Sequence, residues 1–322
     1  MSTLKQPYDF GAATFLPFKM GGYFWKLMGW GTLVTVLLTA LFIPLLMGDI
    51  VDFIDLVAIV DSSNNPDDAF AMFGIMGKMF LKAIPLILIL WAATASLVTA
   101  FHRNAIFGEV RTGFPLRFGR TEMQVMLVQL VVGLIIGGLA IGAYMILGGI
   151  VVALGVSSGG NEGAIGAAIG LVFLLMIPLI IGFIYLAIRM SPAVAATVKH
   201  DRFALKDGWN ATRGYFWWMF LSFIVIGVIG GIINQIVSMI AQFGLMGVFA
   251  ATMDTAAMEA GDFSGLMDLI KSPGIIIMAL IMFGILQFIS LVTNFFSHGI
   301  TSYVVRDSFN MNNPETVANI YD

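Results

Sequence analysis

The chain has 322 residues, of which 59% are hydrophobic and only 11% charged, and its mean hydropathy is +0.95. Soluble domains carry roughly 25% charged residues, so this composition excludes a water-soluble globular protein. The lack of cysteine excludes disulfides, thiolate metal sites and cysteine nucleophiles, and a net charge of −3 offers no attraction toward nucleic acid.

Residues 1–26 are too long and too aromatic for the head of a secretory signal. No small-residue cleavage pattern follows them, so the first apolar block is expected to be a retained helix. A helix needs about 20 apolar residues to cross the hydrocarbon core. Six blocks meet that length: 27–47, 79–101, 124–152, 164–188, 217–243 and 274–304. The most telling stretch runs from Met123 to Ile188, where Glu162 is the single formal charge; it holds two crossings joined by a turn at 157–163. The chain therefore reads as one all-α domain, 1–322: a polytopic membrane bundle of six transmembrane helices in three hairpins, with interfacial amphipathic helices.

Connections 48–78 and 244–273 are acidic. The first carries Asp49, Asp52, Asp55, Asp61, Asp67 and Asp68, the second Asp254, Glu259, Asp262 and Asp268. Ile50, Phe53, Ile54 and Val57, and again Met258, Phe263, Leu266 and Leu269, recur at helical spacing. Each connection is thus expected to lie along the outer interface as an amphipathic helix. Asp49, Asp52 and Asp55 share a face, taken as solvated because no calcium-loop spacing surrounds them.

Of the 16 basic residues, only Lys78, Lys82 and Lys271 fall with these acids. The rest are Lys5, Lys19 and Lys26 before the first crossing; Arg103, Arg111, Arg117 and Arg120 in connection 102–123; Arg189, Lys199, Arg202, Lys206 and Arg213 in connection 189–216; and Arg306 in the tail. That bias makes 102–123, 189–216 and both termini cytoplasmic, and 48–78 and 244–273 extracytoplasmic.

The even-numbered crossings each end in a lone arginine: Phe101-His102-Arg103, Ala187-Ile188-Arg189 and Val304-Val305-Arg306. Gly22-Tyr23-Phe24-Trp25 and Gly214-Tyr215-Phe216-Trp217 precede the first and fifth crossings at the same topological point, and Phe118-Gly119-Arg120 precedes the third. Three related hairpins account for this pattern. So does simple anchoring, since aromatic rings and arginines collect at headgroup level.

Connection 189–216 is the most distinctive. After Arg189-Met190-Ser191-Pro192 comes a short amphipathic helix, then the string Trp-x-x-Thr-Arg-Gly-x-Phe-Trp, formed by Trp209, Thr212, Arg213, Gly214, Phe216 and Trp217. With Leu116-Arg117-Phe118-Gly119-Arg120-Thr121-Glu122, it resembles a large group of uncharacterised bacterial six-helix membrane proteins. These are similar to the membrane-spanning domain attached to some glycerophosphoryl diester phosphodiesterases. The resemblance implies the six-helix fold and an address in the bacterial cytoplasmic (inner) membrane. It brings no reaction, because the catalytic phosphodiesterase barrel has no counterpart in this sequence.

Arginine offers a planar donor fork and glycine lets a backbone come close, so Arg117, Arg120, Arg189, Arg213 and Gly214 are candidate lipid-phosphate contacts. The plainer alternative makes Gly214 a turn and the arginines anchors. Polar residues also fall inside crossings: Gln124 and Gln129 in the third, Asn234, Gln235 and Gln242 in the fifth, Gln287, Asn294 and His298 in the sixth. The last three share a stripe, which with Asn234 either lines a wet passage or bonds neighbouring helices. Gly133, Gly137, Gly138 and Gly142, with Gly227, Gly230 and Gly231, are expected to seat close helix contacts. Pro44, Pro85 and Pro178 fall within crossings. His102, His200 and His298 have no metal or triad spacing, and no nucleotide or nucleophile motif occurs, so no metal and no cofactor are expected.

The function expected is therefore a non-enzymatic membrane component whose basic inner connections contact membrane lipids, protein partners or further copies of the chain. A small transporter or channel for a lipid or amphiphile is the alternative. An enzyme acting on headgroups has only His102 and Glu122 to recruit beside the arginines.

Overall fold

The computed structural model describes residues 8–62, 66–110, 113–114, 116–157, 162–252 and 272–310. Lys5, Arg111 and the acidic segment 253–271, with Lys271, lie outside the described residues. Among the described residues every regular element is an α-helix: α1 (Phe10–Thr14), α2 (Leu16–Lys19), α3 (Gly22–Ser62), α4 (Pro66–Phe107), α5 (Arg120–Ser157), α6 (Glu162–Met190), α7 (Ala193–His200), α8 (Leu205–Ala211), α9 (Phe216–Thr252) and α10 (Pro273–Asn310). The long ones, α3, α4, α5, α6, α9 and α10, are long and apolar enough to cross a membrane. The protein is an all-α, multi-pass membrane bundle.

Consecutive long helices pair as hairpins: α3 with α4, α5 with α6, α9 with α10. α10 also packs on α3 and α4, and α4 on α5. Pro44, Pro85 and Pro178 stand inside α3, α4 and α6 without ending them.

The helices overrun the expected crossings. α3 has 41 residues and α4 has 42, each about 60 Å at 1.5 Å per residue, twice the roughly 30 Å of hydrocarbon. Stretch 48–62 therefore forms no separate interfacial helix; it continues α3. The reason is local, since Gly48 is its one helix-breaking residue and an isolated glycine costs a helix only about 1 kcal/mol.

Asp49 corrects a second expectation. It is buried, 2% exposed, and its carboxylate takes Lys78 at 3.0 Å and Lys82, both from α4. A lone carboxylate out of water is costly, so the partners across the hairpin replace the solvent expected there. Lys26 to Asp49 spans about 35 Å along α3, and Lys82 to Arg103 about 32 Å along α4. The ion cluster thus stands one bilayer thickness from the arginine end.

Buried side chains gather at that arginine end. Phe24, Leu27 and Met28 of α3, Val98 and Phe101 of α4, Val125 and Val128 of α5, Met219 of α9, and Phe295, Ile300 and Val304 of α10 are all fully or almost fully covered. Toward the other end, residues such as Leu134, Tyr144, Val156, Phe173, Ile229 and Phe243 stand exposed. Hydrocarbon solvates them as well as protein does, so no hydrophobic force drives these side chains together. Among the described residues the bundle is closed at the arginine end and more loosely packed toward the other.

The closure is built on α7. Its run Ala193 to Val198 is wholly buried, so this short helix is a wedge where the sequence suggests an amphipathic surface. It packs against α4, α5, α8 and α10. Small side chains allow that fit: a methyl group added at Gly208 of α8 would collide with the Ala193 backbone. Thr197 donates to the Ala193 carbonyl at 2.8 Å and accepts from the Ala204 amide at 3.2 Å. Asp201, in the left-handed region at φ 48°, ends the helix and accepts from Thr121 at 2.5 Å. Arg103 donates to the same Thr121 hydroxyl at 3.0 Å, so α4, α5 and the α7–α8 turn share one polar node.

The amino-terminal segment straps the closed end. Tyr8 shares a hydrogen bond with Ser222 at 2.9 Å and sits among the rings of Tyr215, Trp218 and Tyr303. Burial pushes its phenol up to about 12.

Candidate functional site

α6 leans on α8 and on the start of α9. The seam encloses an apolar groove of about 360 Å³, lined by Ile181, Ile184, Tyr185 and Arg189 from α6 and by Thr212, Gly214, Phe216, Trp217 and Phe220 from the α8–α9 side. Its charged lining residue is Arg189.

Arg189 is held from three directions. Its Nη1 donates to the Thr212 hydroxyl at 2.6 Å and its Nε to the Tyr185 hydroxyl at 3.2 Å. The guanidinium lies over the rings of Trp209, at 5.2 Å, and Tyr185, at 5.5 Å. Thr212 donates its own proton to the Trp209 carbonyl at 2.8 Å, which turns the hydroxyl lone pairs toward the arginine. Among the described residues no carboxylate pairs with Arg189, and two of its five donors are used by protein. The other lone arginines differ. Arg103 has Thr121 and Glu109, and Arg306 lies over Tyr303.

The local chain explains the geometry. α6 ends at Met190, and Ser191 and Pro192 turn the chain into α7. α8 then brings Trp209 and Thr212 back beside the α6 terminus. Gly214, at φ +85°, makes the left-handed turn that starts α9, a conformation that costs glycine nothing. In the other copy of the tetrapeptide the positive φ falls one residue earlier, at Gly21, so the two copies begin their helices differently.

Of the expected phosphate contacts, the groove brings together Arg189 and Gly214. Arg213 is exposed and lies outside the lining; Arg117 and Arg120 are exposed at the start of α5. Arg117 is fixed through its backbone, its amide donating to Ser96 at 2.8 Å and its carbonyl accepting from that hydroxyl at 2.9 Å. The string Trp209 to Trp217 wraps the groove, contributing the stacked ring, the acceptor, the turn and two aromatic walls. Tyr185 was missed by sequence reasoning. Its spacing of four from Arg189 on a helix was the available signal.

The stripe residues stand apart from this groove. Gln287 is half-buried, while Asn294 and, on α9, Asn234, Gln235 and Gln242 are exposed. Gln129 accepts from Trp91 at 2.9 Å, joining α5 to α4. His298 meets His102 edge to face, with centroids 5.1 Å apart, so two of the three histidines that look scattered in the sequence come together. His102 Nδ1 bonds Ser302 at 2.7 Å, and its Nε2 is sealed without a partner among the described residues. No group of three metal-ligating side chains occurs among the described residues.

The glycine faces also differ from expectation. A methyl group added at Gly133, Gly137, Gly138, Gly142, Gly227 or Gly231 would touch nothing within 4 Å. Only Gly230 of that set seats a neighbour, Thr293 of α10. The halves of α5 and α9 that carry the others lie outside the tightly packed end of the bundle among the described residues.

Comparison with family models, with curated proteins and with solved structures finds no match to this chain.

Proposed function

We propose that this chain is a non-enzymatic component of the bacterial cytoplasmic membrane, with both termini inside, whose closed, basic end contacts the lipids of the inner leaflet. One observation carries it: among the described residues the tightly packed core lies where the arginines and interfacial aromatics collect, with Arg117, Arg120 and Arg213 exposed around it. Cations at that depth meet anionic headgroups, each contributing about 1 kcal/mol of attraction near an anionic surface. The six-helix resemblance and the positive-inside bias support the address.

The test is extraction from cells in polymer discs that keep the surrounding bilayer, followed by lipid analysis. Enrichment of anionic phospholipid over the bulk membrane is expected. A disc composition equal to the bulk contradicts the proposal.

A second reading, passage of a small amphiphile, draws on the polar line down α10 from Asn294 through His298 to Ser302 and the buried His102. Replacing Gln287, Asn294 and His298 together by Leu should abolish flux into vesicles without loss of folded protein; unchanged flux removes that reading.

A further inference from the structure

We infer that the Arg189 groove is a binding site for one anionic glycerophospholipid of the inner leaflet, its phosphate on Arg189 and an acyl chain along Ile181, Ile184 and Phe220. This deepens the lipid-contact reading above and rests on it. Three observations carry the assignment.

The first is charge. Arg189 is half-buried, has no carboxylate partner among the described residues, and keeps donors beyond those given to Thr212 and Tyr185. A guanidinium at the mouth of an apolar space calls for an anion, and phosphate matches its planar fork. The second is preorganisation. Trp209 and Tyr185 stack on the guanidinium and Thr212 fixes its rotation, so little side-chain freedom remains to be lost on binding. The third is amphipathy. Beyond Arg189, Thr212 and Gly214 the lining is Ile, Phe, Trp and the Tyr ring, in a space of about 360 Å³, which suits hydrocarbon and gives a free phosphate ion no gain from most of the groove. Two other hollows, beside Pro44 and Pro178, have purely apolar linings and lack such a handle.

The occupant is therefore a lipid with a net negative phosphodiester. A zwitterionic lipid brings its own cation toward Arg189 and gains less.

The experiment uses the full-length protein, delipidated in detergent and titrated with dioleoyl phosphatidylglycerol, dioleoyl phosphatidylcholine or inorganic phosphate, with bound lipid counted by native mass spectrometry. One phosphatidylglycerol should bind in preference to phosphatidylcholine, and inorganic phosphate at matched ionic strength should not displace it. Arg189→Gln should weaken that binding roughly tenfold to a hundredfold, the range for losing a hydrogen bond to a charged group. Ile184→Trp fills the groove from an exposed wall position and leaves Arg189 intact. It should weaken binding comparably, and it decides the question if Arg189→Gln does not fold. Lys206→Gln, at an exposed site that does not line the groove, removes one positive charge as a control and should bind as wild type.

Wild-type affinity in Ile184→Trp overturns the inference, as does equal affinity for phosphatidylcholine or displacement by inorganic phosphate. If both groove variants still show anionic enrichment in polymer discs while losing the single bound lipid, both statements stand. If they keep the single lipid, only the groove assignment falls. If wild type shows no enrichment in the discs, the broader reading falls first.

Discussion

Tyr8 is the clearest single residue whose surroundings set a measurable property. Its neutral phenol is buried among three rings and bonded to Ser222, and its pKa rises to about 12 from about 10 in an unfolded chain. A group raised in this way holds its stabilisation below pH 10 and loses it as pH climbs toward 12, because the unfolded phenol ionises first. Unfolding midpoints in detergent should fall across that window in wild type and fall less steeply in Tyr8→Phe; equal slopes contradict the strap. Ser302 offers a second test. It is the one side-chain hydrogen-bond partner of His102 among the described residues, and both side chains are fully covered. Ser302→Ala should cost about 1–3 kcal/mol, the penalty for stranding a buried polar atom. Urea unfolding in micelles checks this, and a change below about 0.5 kcal/mol contradicts the burial described.

The glycines separate contacts that exist from contacts only suggested by spacing. Gly230 faces Thr293 so closely that Gly230→Ala should destabilise the α9–α10 hairpin by about 1–3 kcal/mol, an overpacking cost. Thr293→Ala should relieve it, giving clear non-additivity in a double-mutant cycle. Gly137→Ala, with nothing within 4 Å, should stay within about 0.5 kcal/mol of wild type or gain from helix propensity. Comparable losses at both positions would show that α5 is closely packed after all. These elements also show what could be read from sequence and what could not. The six crossings were legible because an uncharged run of 20 or more residues, such as 124–152, has one stable state in lipid. The burial of α7 was not, since Ala193 to Val198 has no length or periodicity that distinguishes a wedge from a surface helix. Asp49 was misjudged because its partners, Lys78 and Lys82, come from the next helix, and spacing within one segment cannot show them. The groove was half legible: the string from Trp209 to Trp217 stood out, while the arginine it encloses lies 20 residues upstream and is chosen by the fold.

For the molecule as a whole, an end-to-end asymmetry implies a direction in the membrane. One end is closed, basic and aromatic; about one bilayer thickness away stands the Asp49, Lys78 and Lys82 cluster, with α3 and α4 running on past it. Placing the closed end toward the cell interior puts the Arg189 groove in the inner leaflet. The chain contains no cysteine, so single cysteines can report sidedness without background. The decisive measurement is labelling of Glu109→Cys, beyond the closed end of α4, and Asp52→Cys, beyond the ion cluster on α3, by a membrane-impermeant maleimide in intact spheroplasts. The account predicts that Asp52→Cys reacts at once and Glu109→Cys only after lysis. Reaction of Glu109→Cys before lysis, with Asp52→Cys protected, would reverse the bundle and contradict it.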